Sequence, residues 1–442
     1  MKVMKQEEMV DRPGTQTLRI LWVKVGGLWP VHSGGRLRSF HVIKELSRHH
    51  HVSVITTHSP GESEEALSAQ LPDCRQVRSL PYQAAKRDSW RFIVNLMGSW
   101  LSRLPVDLYR HRIKVLRDEV GCMLEKQSFD LCVVDFLTAV PNLPSRMDIP
   151  VIHFSHNVEY MIWKRLYDNE RSVLKRAALA LEWRKMRWYE EAACRRFDMT
   201  VTVSRDDRVR LQQSGPAARL RDIPTGVDTD YFRPAPDARQ NPLELVFCGS
   251  MDWHPNEDAM RYFIDAILPL IRLENPDVSL TIVGRNPPTW LKSLSGRDGV
   301  TVSGTVDDVR PWITGAAVYL VPLRIGGGTR LKIYEALAMG KAVVSTTIGA
   351  EGLPLKEGVH ILRADTPSAF ACQVLTLLER PALREQMGRE GRDLMVNHYS
   401  WSHVGDSFET LCREAIDSSA KNSTTTIGNL VQEADLRKEN LS

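Results

Sequence analysis

The sequence lacks the marks of several protein classes. Its seven cysteines (Cys74, Cys122, Cys132, Cys194, Cys248, Cys372 and Cys412) form no C-x-x-C pair. An odd, scattered set argues against a disulfide framework or a zinc site and for a reducing compartment. No apolar run reaches the ~20 residues needed to span a bilayer. The first sixteen residues are polar and include Glu7, Glu8 and Asp11, which is not the pattern of a secretory signal peptide. A cytoplasmic address is therefore expected. Charge of one sign is nearly absent in net terms: 58 Lys and Arg against 54 Asp and Glu leave +4. That is too little for a dedicated nucleic-acid binder, so basic features must be local. No pair of acids stands at matched strand ends, which disfavours a two-carboxylate hydrolase.

What is present is enough chain for two domains: 442 residues with 43% hydrophobic and 25% charged residues, an ordinary globular balance. Apolar runs at 18–25 and 52–57 flank a helical pattern over 36–48. This strand–helix–strand opening predicts a parallel sheet with right-handed crossovers. Gly34 and Gly35 fall at the expected turn, where ligands bind in such sheets or where a backbone simply needs freedom. Further strands are expected at 130–136, 150–154 and 198–204, and a helix at 205–213. The second of these strands ends in His153-Phe154-Ser155-His156, which places His156 at the crevice end. The triplet His49-His50-His51 is not a metal cluster, because adjacent side chains point in different directions. Residues 17–228 form the first domain on this reading. A proline-bearing polar stretch over 233–242 links it to a second, over 243–400, with strands expected at 243–248, 278–283, 300–302, 318–321 and 342–345. Helices over 366–397 and over 401–416 follow, then a disordered tail over 417–442 that is rich in Ser, Thr, Asn and charge.

Two segments combine tryptophan with basic residues: 81–127, broken at Pro105, and 163–196. Basic aromatic helices can lie on an anionic membrane. The alternative is aromatics in the core and arginines in solvent, preferred for the second segment and left open for the first.

The most informative stretch runs from Val321 to Gly340. An apolar strand leads into Gly326-Gly327-Gly328, then Thr329 as a helix N-cap, with Arg324, Arg330 and Lys332 nearby. Contiguous glycines let amides face an anion, and the helix dipole adds to that attraction. No lysine and serine or threonine directly follow the last glycine, so this is no P-loop, and the glycine spacing is not that of G-x-G-x-x-G. Glu335 lies three residues past Lys332, on the same side of the helix. A carboxylate suits ribose hydroxyls rather than phosphate. Phosphate and hydroxyl recognition together describe a nucleotide-sugar site. An ordinary glycine turn remains open on this stretch alone.

The motifs in order carry a resemblance. Gly34-Gly35-Arg36, Val203-Ser204, Thr225-Gly226-Val227-Asp228 with Tyr231-Phe232, and Gly249-Ser250-Met251-Asp252-Trp253 with Pro255-Asn256 are followed by Gly304-Thr305-Val306 with Asp308, the glycine triplet, and Gly349-Ala350-Glu351-Gly352-Leu353. The chain resembles the retaining glycosyltransferases of family 4, the group 1 enzymes, in a subgroup with a glycine-triplet loop. The resemblance implies the α/β GT-B fold, two Rossmann-like domains with parallel sheets facing a cleft. It implies sugar transfer from a nucleotide-diphosphate sugar to a sugar or lipid-linked acceptor with retention, in bacterial cell-surface polysaccharide or glycolipid assembly.

No metal or other cofactor is implied. The donor would contact Gly249, Ser250, Arg324, Gly326, Gly327, Gly328, Thr329, Arg330 and Glu335, with His156, Lys332 and Glu335 catalytic and Gly34 and Gly35 on the acceptor side. Glu335 would match the second glutamate of the family's E-x7-E motif, while the first falls at Gly327. Two basic family positions fall at Ser250 and Pro255. The implied alternatives are an inactive nucleotide-sugar-binding or scaffold protein of the same fold, or a nucleotide-sugar epimerase. Peripheral contact with the inner face of an anionic membrane completes the expectation.

Overall fold

The computed structural model describes residues 16–84, 89–214, 219–235, 239–325 and 331–420. They form two compact units: residues up to Pro224 together with those from Val404 onward, and Thr225–His403.

The first unit is built on a seven-stranded parallel sheet. Its strands are β1 (Arg19–Lys24), β2 (His51–His58), β3 (Gln76–Pro81), β4 (Leu131–Asp135), β5 (Val151–Ser155), β6 (Met199–Thr202) and β7 (Leu220–Asp222). They lie in the order β3-β2-β1-β4-β5-β6-β7. The strand order reverses between β1 and β4, which is where open α/β sheets hold ligands. Residues of β4 and β5 are buried throughout, because helices cover both faces of a parallel sheet. Register pairs Lys24 with Asp135 at the carboxyl ends of β1 and β4.

Gly34 and Gly35 do not form the turn the sequence suggested. They are the first helical turn of Gly34–Ser47, capped by Ser33, whose side chain accepts from the Arg36 N–H. The turn after β1 uses Gly26 and Gly27, at φ 101° and 76°. A Cβ at Gly35 would stand 2.5 Å from Phe136 Cζ, so close helix–sheet packing explains this glycine. The His49–His51 triplet divides at the β2 start. His50 is buried, accepting the Leu18 N–H at Nδ1, with Nε2 at 3.4 Å from Glu409.

The second unit has a six-stranded parallel sheet in the order β10-β9-β8-β11-β12-β13. The strands are β8 (Asn241–Cys248), β9 (Ser279–Val283), β10 (Val300–Gly304), β11 (Ala316–Val321), β12 (Ala342–Ser345) and β13 (Leu362–Arg363). Here the order reverses between β8 and β11, so the turns after Cys248 and Val321 flank the switch point. The long helix expected over 366–397 is two, Pro367–Glu379 and Pro381–His398. Pro381 ends the first, since it has no N–H to donate to the i−4 carbonyl, and starts the second. The last helix, Trp401–Ala420, extends beyond 416, so residues 417–420 are helical rather than part of a tail. From Val404 onward this helix belongs to the first unit, where its Phe408 packs on Trp22 and Phe154 with ring centroids at 5.5 and 5.2 Å.

Candidate functional site

In the second unit, β8 delivers Gly249 and Ser250 to the switch point. The Gly249 N–H donates to the Val283 carbonyl at 2.9 Å. A Cβ at Gly249 would lie 2.7 Å from both Asn256 Nδ2 and Lys332 Nζ, and one at Gly284 would lie 1.8 Å from the Gly249 carbonyl oxygen. Only glycines allow this approach. Asn256, from the helix His254–Tyr262, joins two loops: its Nδ2 donates to the Ser250 carbonyl at 2.8 Å and its Oδ1 accepts from Lys332 Nζ at 2.9 Å. The ammonium also lies 4.3 Å from the Phe247 ring centroid, a cation–π contact. Lys332 is thus held at the carboxyl end of β8 by a side chain, a ring and the absence of a Cβ.

Glu335 follows one turn later on the helix Leu331–Ala338. Burial pushes its pKa up to about 7, with Lys332 pulling the other way. It therefore changes charge near neutrality, and a partner that donates hydrogen bonds favours its ionised form. Arg324 behaves differently. Its Nη2 and Nε donate to the two oxygens of Asp258 at 2.6 and 3.1 Å, and it stacks over Tyr262. Its charge is matched by a carboxylate and is not standing free for an anion. Gly326, Gly327, Gly328, Thr329 and Arg330 lie outside the described residues.

Ser250 is tied to the turn after β9. Its hydroxyl bonds Asp252 and accepts from Arg285 Nε at 2.8 Å, while Asn286 Nδ2 donates to Asp252 at 3.0 Å. Arg285 brings a guanidinium, 60% exposed, to the side of Ser250. Sequence reasoning missed Arg285 because nothing local marks it; only the parallel pairing of β8 with β9 puts it there.

The first unit holds a second polar cluster at its own switch point. Asp135 accepts from His156 Nε2 at 2.8 Å and from Trp22 Nε1 at 2.9 Å, and its Oδ2 lies 3.2 Å from Lys24 Nζ. All three charged or titratable side chains are at most 2% exposed. Phe136, at φ 69°, stacks flat on His156 with centroids 4.1 Å apart and carries Lys24 Nζ 4.1 Å from its centroid. Burial would raise the Asp135 carboxyl, but Lys24 and His156 outweigh it and hold it well below the usual carboxylate range. Burial pushes His156 down to about 4, against the pull of Asp135.

His156 is therefore neutral at pH 7. A carboxylate only accepts, so Nε2 carries the proton and Nδ1 is the acceptor. That Nδ1 is buried without a hydrogen-bond partner among the described residues. Such an atom suits an incoming hydroxyl. Lys24 and Asp135 were not anticipated; a lysine and an aspartate ending apolar strands were the available signal.

Two parallel-sheet α/β units of this build define the GT-B fold. Sucrose-phosphate synthase from Thermosynechococcus elongatus superposes with a TM-score of 0.63 at 17% identity, covering 91% of this chain and all of that one. Anabaena HepE in complex with UDP gives 0.61 at 12% identity, over 90% of this chain and all of that one. Residues 33–231 match the model for Glycosyltransferase Family 4, and residues 242–380 that for Glycosyl transferases group 1. Between them the two models account for most of the chain, which belongs to this glycosyltransferase family.

An uncharacterised 44.6 kDa protein in the cps region of Klebsiella pneumoniae is 23% identical over 81% of this chain and 90% of its own length. Phosphatidyl-myo-inositol mannosyltransferase of Mycobacterium tuberculosis is 31% identical over 48% of this chain, and the match spans 58% of the mannosyltransferase's length.

Proposed function

We propose that the protein transfers a hexosyl group, with retention, from a nucleoside-diphosphate sugar to an acceptor in cell-surface polysaccharide or glycolipid assembly. The observation that carries this reading is the cluster Gly249–Asn256–Lys332–Glu335 at the second unit's switch point. Lys332 supplies a fixed positive charge and Glu335 a carboxylate that gains charge when hydroxyls bind it. Phosphate and ribose are the chemistry that these two groups fit together.

In this proposal negative charge grows on the departing diphosphate as the sugar becomes oxocarbenium-like. Lys332 meets that charge and Gly249 and Ser250 line the donor; the roles proposed for Gly326, Gly327, Gly328, Thr329 and Arg330 in holding the diphosphate rest on the sequence alone. Arg285, bonded to Ser250, takes the place of the basic side chain missing at Ser250. Arg324 acts through Asp258, shaping the loop rather than binding phosphate. We assign no metal or other cofactor to the reaction. His156 accepts a hydrogen bond from a sugar hydroxyl through Nδ1, and Asp135 is its positioning residue. The Gly34 and Gly35 turn of helix belongs to the acceptor side.

A lipid-linked acceptor is supported by the mannosyltransferase relative, whose name carries a phosphatidyl-inositol acceptor. Among the described residues no helix is long and apolar enough to cross a membrane, and we place the protein peripherally on the inner face. A thermal-shift screen of nucleoside diphosphates and their sugars tests the donor site, because a ligand of the native state raises the melting point. A rise with one base is expected. No shift with any, in a folded protein, contradicts the reading. Product from donor alone, without acceptor, would instead indicate an epimerase, and binding without turnover an inactive scaffold.

A further inference from the structure

The helix Trp90–Trp100 carries apolar residues on both of its sides. Phe92 and Leu96 pack against the first unit's core. Trp90, Ile93, Val94, Met97 and Trp100, with Leu101 next to them, are between 49% and 91% exposed. Their spacing of three and four residues makes one continuous outer stripe. A monomeric protein rarely leaves such a stripe uncovered without a use for it.

The stripe is fixed in place rather than frayed. Ser89 caps the helix start by accepting the Phe92 N–H at 3.3 Å. At the other end Lys185 Nζ donates to the Ser99 carbonyl at 2.8 Å, and Glu182 accepts from the Ser99 hydroxyl at 3.4 Å. These bonds join it to the helix Val173–Arg196. Between the two lies a cavity of about 770 Å³ with Trp100, Leu181 and Trp188 on its walls. Its charged lining is Arg103, Arg184, Lys185, Arg195 and Arg196, with no acid among the lining residues. A chain of net charge +4 thus concentrates cations beside its most exposed apolar face.

We infer that this face docks on an anionic phospholipid bilayer, with the outer stripe in the headgroup–acyl boundary and Arg184 and Arg195 on lipid phosphates. The helix has eleven residues, about 16 Å at 1.5 Å per residue. That is half the ~30 Å hydrocarbon core, so it lies in the interface rather than across it. Tryptophan at both ends suits the headgroup level. A second copy of the chain is a poorer occupant, since a two-fold contact would bring the same cations together. The inference deepens the proposed membrane setting, which it shares with the lipid-linked acceptor. It does not depend on donor binding, and it is read here without any donor.

Co-sedimentation of the full chain with vesicles of phosphatidylcholine containing phosphatidylglycerol, against pure phosphatidylcholine, tests it. Partition is expected to be at least tenfold greater with the anionic lipid and to fall with salt, each cation contributing about fivefold. Ile93→Gln with Met97→Gln, both exposed, are expected to lower partition tenfold or more at an unchanged melting temperature. Arg184→Gln with Arg195→Gln should abolish the preference for anionic lipid. Equal partition on both vesicles, or wild-type partition by the Ile93→Gln/Met97→Gln variant, overturns the inference. So does a concentration-dependent dimer that this variant disrupts while vesicles bind neither protein.

Discussion

Replacing Glu335 by glutamine separates a binding role from a structural one. Burial lifts the carboxyl from 4.5 to about 7, so the fold favours its protonated form. The sign follows: the stability this group contributes is present in acid and lost as pH rises through about 7. At pH 8 the ionised carboxylate costs about 2–3 kcal/mol, after allowance for its partial exposure. Glutamine does not ionise, so Glu335→Gln is expected to match wild type at pH 4, below the ordinary carboxyl value, and to exceed it by that amount at pH 8. For a unit of this size that is several degrees of melting temperature.

Donor affinity should move the other way. Exchanging charge-assisted for neutral hydrogen bonds to two hydroxyls loses about 2 kcal/mol, some thirtyfold in affinity. Melting curves at the two pH values and calorimetry with the nucleotide sugar found by screening read both effects. A variant that loses stability at pH 8, or keeps wild-type donor affinity, refutes the assignment of Glu335 to ribose. A gain in stability with a loss of function is the trade expected of a strained binding site.

Other consequences follow from the same two clusters. Donor binding near pH 7 should release protons as Glu335 ionises; calorimetry in buffers of different ionisation enthalpy measures this, and no release counts against hydroxyl contact. Asp135→Asn leaves Lys24 buried beside no counter-charge and should cost about 3–5 kcal/mol in urea denaturation. Adding Lys24→Met should recover much of it if the charge pair is the cause. With His156 at about 4, this side chain binds a proton in the unfolded chain but not in the native one between the ordinary histidine value and pH 4. The stability of wild type relative to His156→Gln is therefore expected to fall as pH drops through that window, and a difference that stays constant with pH would contradict a neutral, buried His156.

The central strands were legible because parallel sheets bury continuous apolar runs, as at Leu21–Val23 of β1 and across β4. The strands missed were the outer ones. β3 contains Gln76, Arg78 and Pro81, and β7 is Leu220-Arg221-Asp222, so an edge position left no apolar run to see. Gly34 and Gly35 were mistaken for a turn because glycine marks both freedom and close packing, and only the Phe136 ring tells which applies. In the site, Lys332 and Glu335 were visible from helical spacing. The engagement of Arg324 by Asp258 and the placement of Arg285 on Ser250 were not, since each joins residues distant in sequence. The same holds for Lys24 and Asp135, which the ends of two other strands bring to His156, the one member of this cluster that the sequence had placed at the crevice end.

The most direct test of the account is transfer of a labelled sugar from its nucleoside diphosphate to a lipid acceptor fraction. Wild type is compared with Glu335→Ala and Lys332→Ala at pH 8. The account predicts acceptor-dependent product with retained anomeric configuration, and at least a tenfold loss in each variant at an intact fold. Near-wild-type turnover in both variants would contradict it.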